Sequence, residues 1–195
     1  MPDITLDKRH TALLIADFYA EQMGKLPHAV SRKCLEKTLA VQQAARGAGI
    51  LICYSATVFR PGYIEISDRN KSFSERKRSG LAAVGDPLAV IHPAVKPAVG
   101  EPVVAKHRVN ALYGTDLAMI LGANNVDTLI LLGFATGGVI LSTTRYAADA
   151  DYRLIIVEDC CADQDPAVHD FLCQKIFPRQ ADVVQSPDVI KALAA

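Results

Sequence analysis

Three groups in this chain stand at the ends of apolar runs and together have the makings of an acid–base site for a small molecule. The first is Asp17, which with Phe18 follows the run Thr11–Ala16, TALLIA. The second is Lys106, which ends the short run Pro102–Ala105 and precedes His107-Arg108-Val109-Asn110-Ala111-Leu112-Tyr113-Gly114. The third is the turn Gly133-Phe134-Ala135-Thr136-Gly137-Gly138, between the apolar run Thr128–Leu132 and a helix-compatible stretch from Val139 to Ala150. A helix start there presents free backbone N–H groups and a partial positive charge. Taken singly, each signal is weak. Asp17 reads equally well as a turn cap, and a lysine after a strand is more often solvated than reactive. Arg60, in Phe59-Arg60-Pro61-Gly62-Tyr63, has the planar fork that pairs with a carboxylate, although a lone surface arginine is more often simply solvated.

The elements that must hold these groups follow from the pattern. Thr128–Leu132, then a helix with Thr136 as its N-cap, then Leu154–Val157 ending in Glu158-Asp159-Cys160-Cys161, make strand, helix and strand over about thirty residues, the length of a βαβ unit. Such a crossover is right-handed and its strands are parallel. Ile50–Ala56 is a second buried strand, reached through a helix over 30–48 that Gly49 closes. A helix runs from Thr115 to about Gly122, another over Pro166–Ile176, a short strand over Ala181–Val184 and a last helix over Pro187–Ala194. The pattern predicts an α/β fold in three αβα layers, with an open, mainly parallel, Rossmann-like sheet of about six strands. Ligands of such sheets bind outside the carboxyl ends of the strands, where Asp17, Lys106 and the 133–139 turn all fall.

Composition narrows the partners. The chain has 195 residues, half of them hydrophobic, with no Gly/Ser or Pro-rich divider, and is read as one domain over 1–195. Lys+Arg and Asp+Glu are equal at 21 each, so no global field favours nucleic acid or an anionic membrane. The basic segment Asp68–Gly80 has one aromatic, Phe73, among interspersed acids, and reads as a solvated loop or lid rather than an RNA-binding patch. Five cysteines, at 34, 53, 160, 161 and 173, match neither a disulfide framework nor zinc-ligand spacing. His92, before a proline and without a ligand-spaced partner, is read as structural. The charged start, Met1–His10, has no apolar signal core. A cytoplasmic protein acting on a small molecule, without nucleic-acid or membrane partners, is the expectation.

Gly133-x-x-Thr136-x-x-Val139-x-x-x-Thr143, followed by Ala147, Ala148, Tyr152 and Asp159, resembles the signature of the isochorismatase-like (cysteine hydrolase) superfamily. The likeness extends over about positions 10–185. It implies that Asp17 is the general acid/base and Lys106 its charged partner, with Asn110, Tyr113, Thr115 and Leu117 approximating the stretch that follows the family lysine. It further implies a cis peptide at Phe134–Ala135 and assembly into a homodimer or larger homo-oligomer. Phe18, Arg60, Asn110, Tyr113, Phe134, Ala135, Thr136 and Gly138 become the candidate substrate-binding residues. No cofactor is expected. Zinc-dependent members use an Asp and His pair soon after the first Asp, whereas only His28 follows Asp17 before the second strand, so no metal is expected either.

This chain departs from the resembled family at one decisive place. Most members carry a nucleophilic Cys where Val139 stands. Thiolate attack on an amide is then closed to Val139. Some members without the Cys hydrolyse a vinyl ether, isochorismate, through an Asp that protonates the enol-ether carbon. Asp17 and Lys106 keep what that reaction needs. The resemblance therefore points to a hydrolase acting on a small, anionic molecule by Asp/Lys chemistry of isochorismate type. Two alternatives stand beside it: an inactive small-molecule-binding or oligomeric scaffold, and an amidohydrolase with a displaced nucleophile, for which Cys160 and Cys161 at the same sheet edge are the candidates.

Overall fold

The computed structural model describes residues 4–195, so the first three residues of the charged start lie outside the described residues. Six strands form one sheet: β1 (Thr11–Ala16), β2 (Leu51–Thr57), β3 (Val103–Lys106), β4 (Thr128–Phe134), β5 (Arg153–Ala162) and β6 (Asp182–Val184). Their order is β3-β2-β1-β4-β5-β6, and every neighbouring pair is parallel, so the expected mainly parallel sheet is parallel throughout. Parallel strands covered on both faces need unbroken apolar runs rather than alternation. All six residues of β1 and the first six of β4 are accordingly buried.

The helices are α1 (Ala20–Lys25), α2 (Pro27–Ser31), α3 (Cys34–Ala48), α4 (Lys71–Arg78), α5 (Leu117–Ala123), α6 (Leu141–Asp149), α7 (Pro166–Phe171) and α8 (Ser186–Ala194). α3 packs on α8 and against β2 and β5. Gly49 closes α3 at φ 71°, its N–H bonded to the Ala45 and Arg46 carbonyls, as its position in the sequence predicts. Among the described residues no helix is long and apolar enough to cross a membrane.

From β1 the chain winds outward through β2 to β3, then crosses back to lay β4 on the other side of β1. The order reverses between β1 and β4, and at such a point the loops leave in opposite directions and open a crevice at the strands' carboxyl ends. Register brings the two ends level, with Ala16 opposite Gly133.

Two stretches differ from the sequence-based expectation. The helix expected over 30–48 is broken at Lys33, which takes φ 56° and separates α2 from α3. Residues 71–78, expected as a loop or lid, form α4. Asn70 caps it by accepting the Phe73 N–H at 3.2 Å, and Arg76, Lys77 and Arg78 sit in the last turn, where the helix dipole favours positive charge. Phe73 anchors the helix in a small second core with Phe59, Ile66 and Ala82. One buried aromatic and a capping amide are enough to order a segment that composition alone marks as solvated.

Candidate active site

Four strand ends converge on one cavity of about 280 Å³. Asp17 follows β1, Thr57 ends β2, Lys106 ends β3, and the end of β4 and the turn after it supply Phe134, Ala135, Gly138 and Val139. Asp17 leaves β1 at φ 49°, a left-handed conformation that Asp tolerates better than most residues. Its N–H is bonded to the Ser55 carbonyl at 2.8 Å, and its own carbonyl accepts the Tyr19 N–H at 2.8 Å. The chain thus turns within three residues and leaves the Asp17 side chain at the sheet rim.

Lys106 Nζ lies 2.7 Å from Asp17 Oδ2, with the side chains 1% and 8% exposed. The same ammonium donates to Thr57 Oγ1 at 2.5 Å and to the carbonyls of Arg108 and Val109 at 3.1 and 3.2 Å. The Thr57 hydroxyl donates to Asp17 Oδ2 at 3.3 Å. Asp17 Oδ1 is buried and has no hydrogen-bond partner among the described residues. Burial pushes the Asp17 carboxyl up despite the pull of Lys106, and burial likewise pushes Lys106 down despite Asp17. Both directions make a proton easier to hold on Asp17 and easier to release from Lys106 than in water.

The turn after β4 carries a cis peptide between Phe134 and Ala135, where it is expected. Thr136 to Ile140 form one π-helical turn before α6 begins at Leu141. Thr136 makes no N-cap bond, in contrast to its expected role. Its buried hydroxyl instead meets His169 Nδ1 at 2.8 Å, and His169 Nε2 meets Glu158 Oε1 at 2.9 Å. With Glu158 ionised, Nε2 carries the proton and Nδ1 accepts from Thr136. The Gly137 N–H donates to Asp163 Oδ2 at 2.6 Å, and the His28 ring contacts both the Asp163 backbone and the edge of His169. A polar framework behind the turn therefore fixes its first two residues.

Other sequence candidates fall outside this cavity. Phe18 is buried in the core against His92, because the turn at Asp17 throws successive side chains to opposite sides. Arg60 is paired with Glu65 at the surface. Asn110 holds its loop together, accepting the N–H groups of Leu112 and Tyr113 and donating to the Ser142 carbonyl. Tyr113 is 59% exposed and Thr136 sits behind the turn. Cys160 and Cys161 are fully buried in β5, and burial pushes both thiols up. Neither is among the residues lining the cavity.

Thr57, Tyr19 and Arg76 line the cavity without having been singled out in the sequence. Thr57 and Tyr19 sit beside strand ends, a signal that topology makes readable. Arg76 arrives from α4, far along the chain, and no local pattern announces it.

Glu158, His169 and Cys173 bring three potential metal-ligating atoms within 4.8 Å of one another. Their lone pairs are already engaged: Glu158 binds Arg32, Gln185 and His169, and burial pushes the Cys173 thiol up to about 12. A bound cation there would face the Arg32 charge. Burial raises the Glu158 carboxyl, but the bonds from His169 and Gln185 and the Arg32 charge outweigh it and bring it from 4.5 down to about 2. A carboxylate depressed in the folded state stabilises the fold above its unfolded value and loses that contribution as pH falls toward its folded one. The difference corresponds to about 3 kcal/mol, present above pH 4.5 and lost between 4.5 and about 2. Urea unfolding at stepped pH should show that loss in the parent and a flattened profile in Glu158→Gln. An unchanged profile in the variant would remove Glu158 as the source.

Comparison with known proteins places the chain in a family. The Isochorismatase domain model matches residues 11–188. Maleamate amidohydrolase of Pseudomonas putida is 28% identical over 188 residues, covering 95% of this chain and 87% of the relative. Among solved structures, N-carbamoylsarcosine amidase from Thermoplasma acidophilum superposes with TM-score 0.72 at 28% identity, over 90% of this chain and 96% of that one. A cysteine hydrolase from Pseudomonas syringae pv. phaseolicola reaches TM-score 0.86 at 21% identity, over 98% and 95% of the two chains, and shares the fold. With nearly its whole length matched by one domain model and by relatives that are hydrolases, the chain belongs to the isochorismatase family of hydrolases.

Proposed function

We propose that this hydrolase cleaves a small anionic vinyl ether, of the isochorismate type, by acid–base chemistry without a covalent intermediate. The observation that carries the reading is the buried Asp17–Lys106 pair, 2.7 Å apart, on a cavity whose turn presents the apolar Val139. Asp17 in its acid form gives its proton to the terminal carbon of the enol ether. The electron pair of the double bond forms the new C–H bond and leaves an oxocarbenium ion. Water adds to that cation and its proton returns to the Asp17 carboxylate. The resulting hemiketal collapses to a 2-oxo acid and an alcohol. Lys106 holds the carboxylate in place between these steps, and its charge favours the anionic form once the proton has left.

Amide hydrolysis is the second reading, favoured by the likeness to maleamate amidohydrolase and N-carbamoylsarcosine amidase. It needs a nucleophile, and no cysteine lines the cavity among the described residues. The five thiols are all buried. The experiment compares the parent with Val139→Cys on isochorismate and on a panel of amides, following pyruvate and ammonia. Pyruvate from the parent is expected. A parent silent on every substrate, with ammonia from Val139→Cys, would mark the parent as an inactive scaffold, and ammonia from the parent would establish a displaced nucleophile.

A further inference from the structure

A second cavity of about 370 Å³ adjoins the one over Asp17 and Lys106. Tyr19, Gln22, Thr57, Arg76 and Leu81 line both, so the two lie side by side. Their linings differ in character. The first holds the Asp17–Lys106 pair; the second is walled largely by Phe59, Ala82, Ala83, Ala89 and Val90, and its acidic residue, Glu21, is paired with Lys25. Leu81, on the shared wall, leaves 77% of its surface exposed.

Arg76 stands at the junction. Among the described residues its guanidinium has no carboxylate partner, and it lies 5.7 Å from the Phe73 ring centroid, which orients it without neutralising it. When Asp17 and Lys106 are both charged they cancel and Arg76 gives the first chamber one uncompensated positive charge; with Asp17 in its acid form the Lys106 charge adds to it. Its field also reaches Lys106, where it adds to the downward push on that ammonium. Arg60, the other candidate for a carboxylate, is already taken by Glu65.

We infer that the two chambers bind one bipartite ligand: a carboxylate held by Arg76 at the junction, carrying an alkyl or aryl tail that fills the second chamber. The reacting end of a substrate of this class then extends over Asp17 in the first. The inference rests on the anionic substrate of the proposed function, and deepens it by adding the apolar tail. Small cavities with apolar walls and one convergent polar group are where such ligands gain affinity from buried methylenes and orientation from the charge.

Binding tests the inference without turnover. Propionate, butyrate, hexanoate and 3-phenylpropionate are titrated by ligand-observed NMR into the parent, Arg76→Gln, Ala83→Phe and Ala89→Phe. In the parent, affinity should rise about fourfold per added methylene. Both phenylalanine variants fill the second chamber and should flatten that rise, weakening hexanoate and 3-phenylpropionate far more than propionate. Arg76→Gln should weaken every member by about tenfold or more, as loss of a charge-assisted bond does. Absence of a chain-length effect in the parent overturns the inference. So does a rise that survives in both folded phenylalanine variants, or propionate binding indifferent to Arg76. If the parent binds the series as expected yet releases no pyruvate, the hydrolytic reading fails and the bipartite site stands.

Discussion

Asp17→Asn should lose about a thousandfold or more of the parent's turnover while still folding. General acid–base groups contribute typically about 10²–10⁴-fold, and in the proposed reaction Asp17 both gives and recovers the proton. The amide keeps the shape, and its oxygen can still accept from Lys106 Nζ, which now stands 2.7 Å from Asp17 Oδ2. It also removes a carboxyl that burial holds above its ordinary value. Such a carboxyl is easiest to bury protonated, so its cost to the fold is absent below the unfolded value of 3.8 and grows as pH rises through its raised folded value. The variant leaves the buried Lys106 ammonium with a weaker, neutral partner, so Asp17→Asn should still fold but with a lowered melting temperature. The parent's kcat/KM should fall as pH rises through the raised value of Asp17, because the acid form is the proton donor. A folded Asp17→Asn enzyme that retains turnover would remove Asp17 from the chemistry.

Gly133→Ala should be the most destabilising single methyl that can be added at the site, costing more than about 4 kcal/mol, a magnitude reserved for backbone collisions and core disruption. Gly133 takes φ 136°, where a side chain is strained in any surroundings. A Cβ there would lie 1.8 Å from the Ala16 carbonyl oxygen and 2.8 Å from its carbon. Both are backbone of the central strand, one residue before Asp17, and neither can swing aside. Gly47→Ala, in α3, is the control: its Cβ would meet nothing within 4 Å, and alanine is the better helix former by about 1 kcal/mol. Urea unfolding of the two variants separates a general effect of added methyls from this close approach. Unchanged stability in Gly133→Ala would mean that β1 and β4 do not meet as described.

Loss of either Asp17 or Gly133 strikes the same few ångströms by different routes. Asp17 is held at the rim by hydrogen bonds to Ser55 and Tyr19, and Gly133 lets β4 pass close enough to align the turn opposite it. The chemistry depends on both, but only Asp17 carries a proton.

Much of this arrangement is written locally in the chain. Unbroken apolar runs such as Thr11–Ala16 and Thr128–Leu132, too short for a buried helix and bounded by Asp and Gly, announce buried parallel strands. Gly49 marks the end of α3, and the order of strands and helices limits the topology to right-handed crossovers. Asp17, Lys106 and the 133–139 turn were readable as strand-end groups because the carboxyl edge of such a sheet gathers them. Tertiary structure alone decided which side chains face the cavity. Phe18 and Asn110 are neighbours of that edge, yet one packs into the core and the other braces its own loop, since side-chain direction follows turn geometry that no periodicity encodes. Arg76 and the second chamber were invisible for the opposite reason. Arg76 comes from α4, and the chamber forms between the segment after α4 and residues 19–22, 57 and 59, which meet through long-range packing around Phe73 and not through any spacing in the chain.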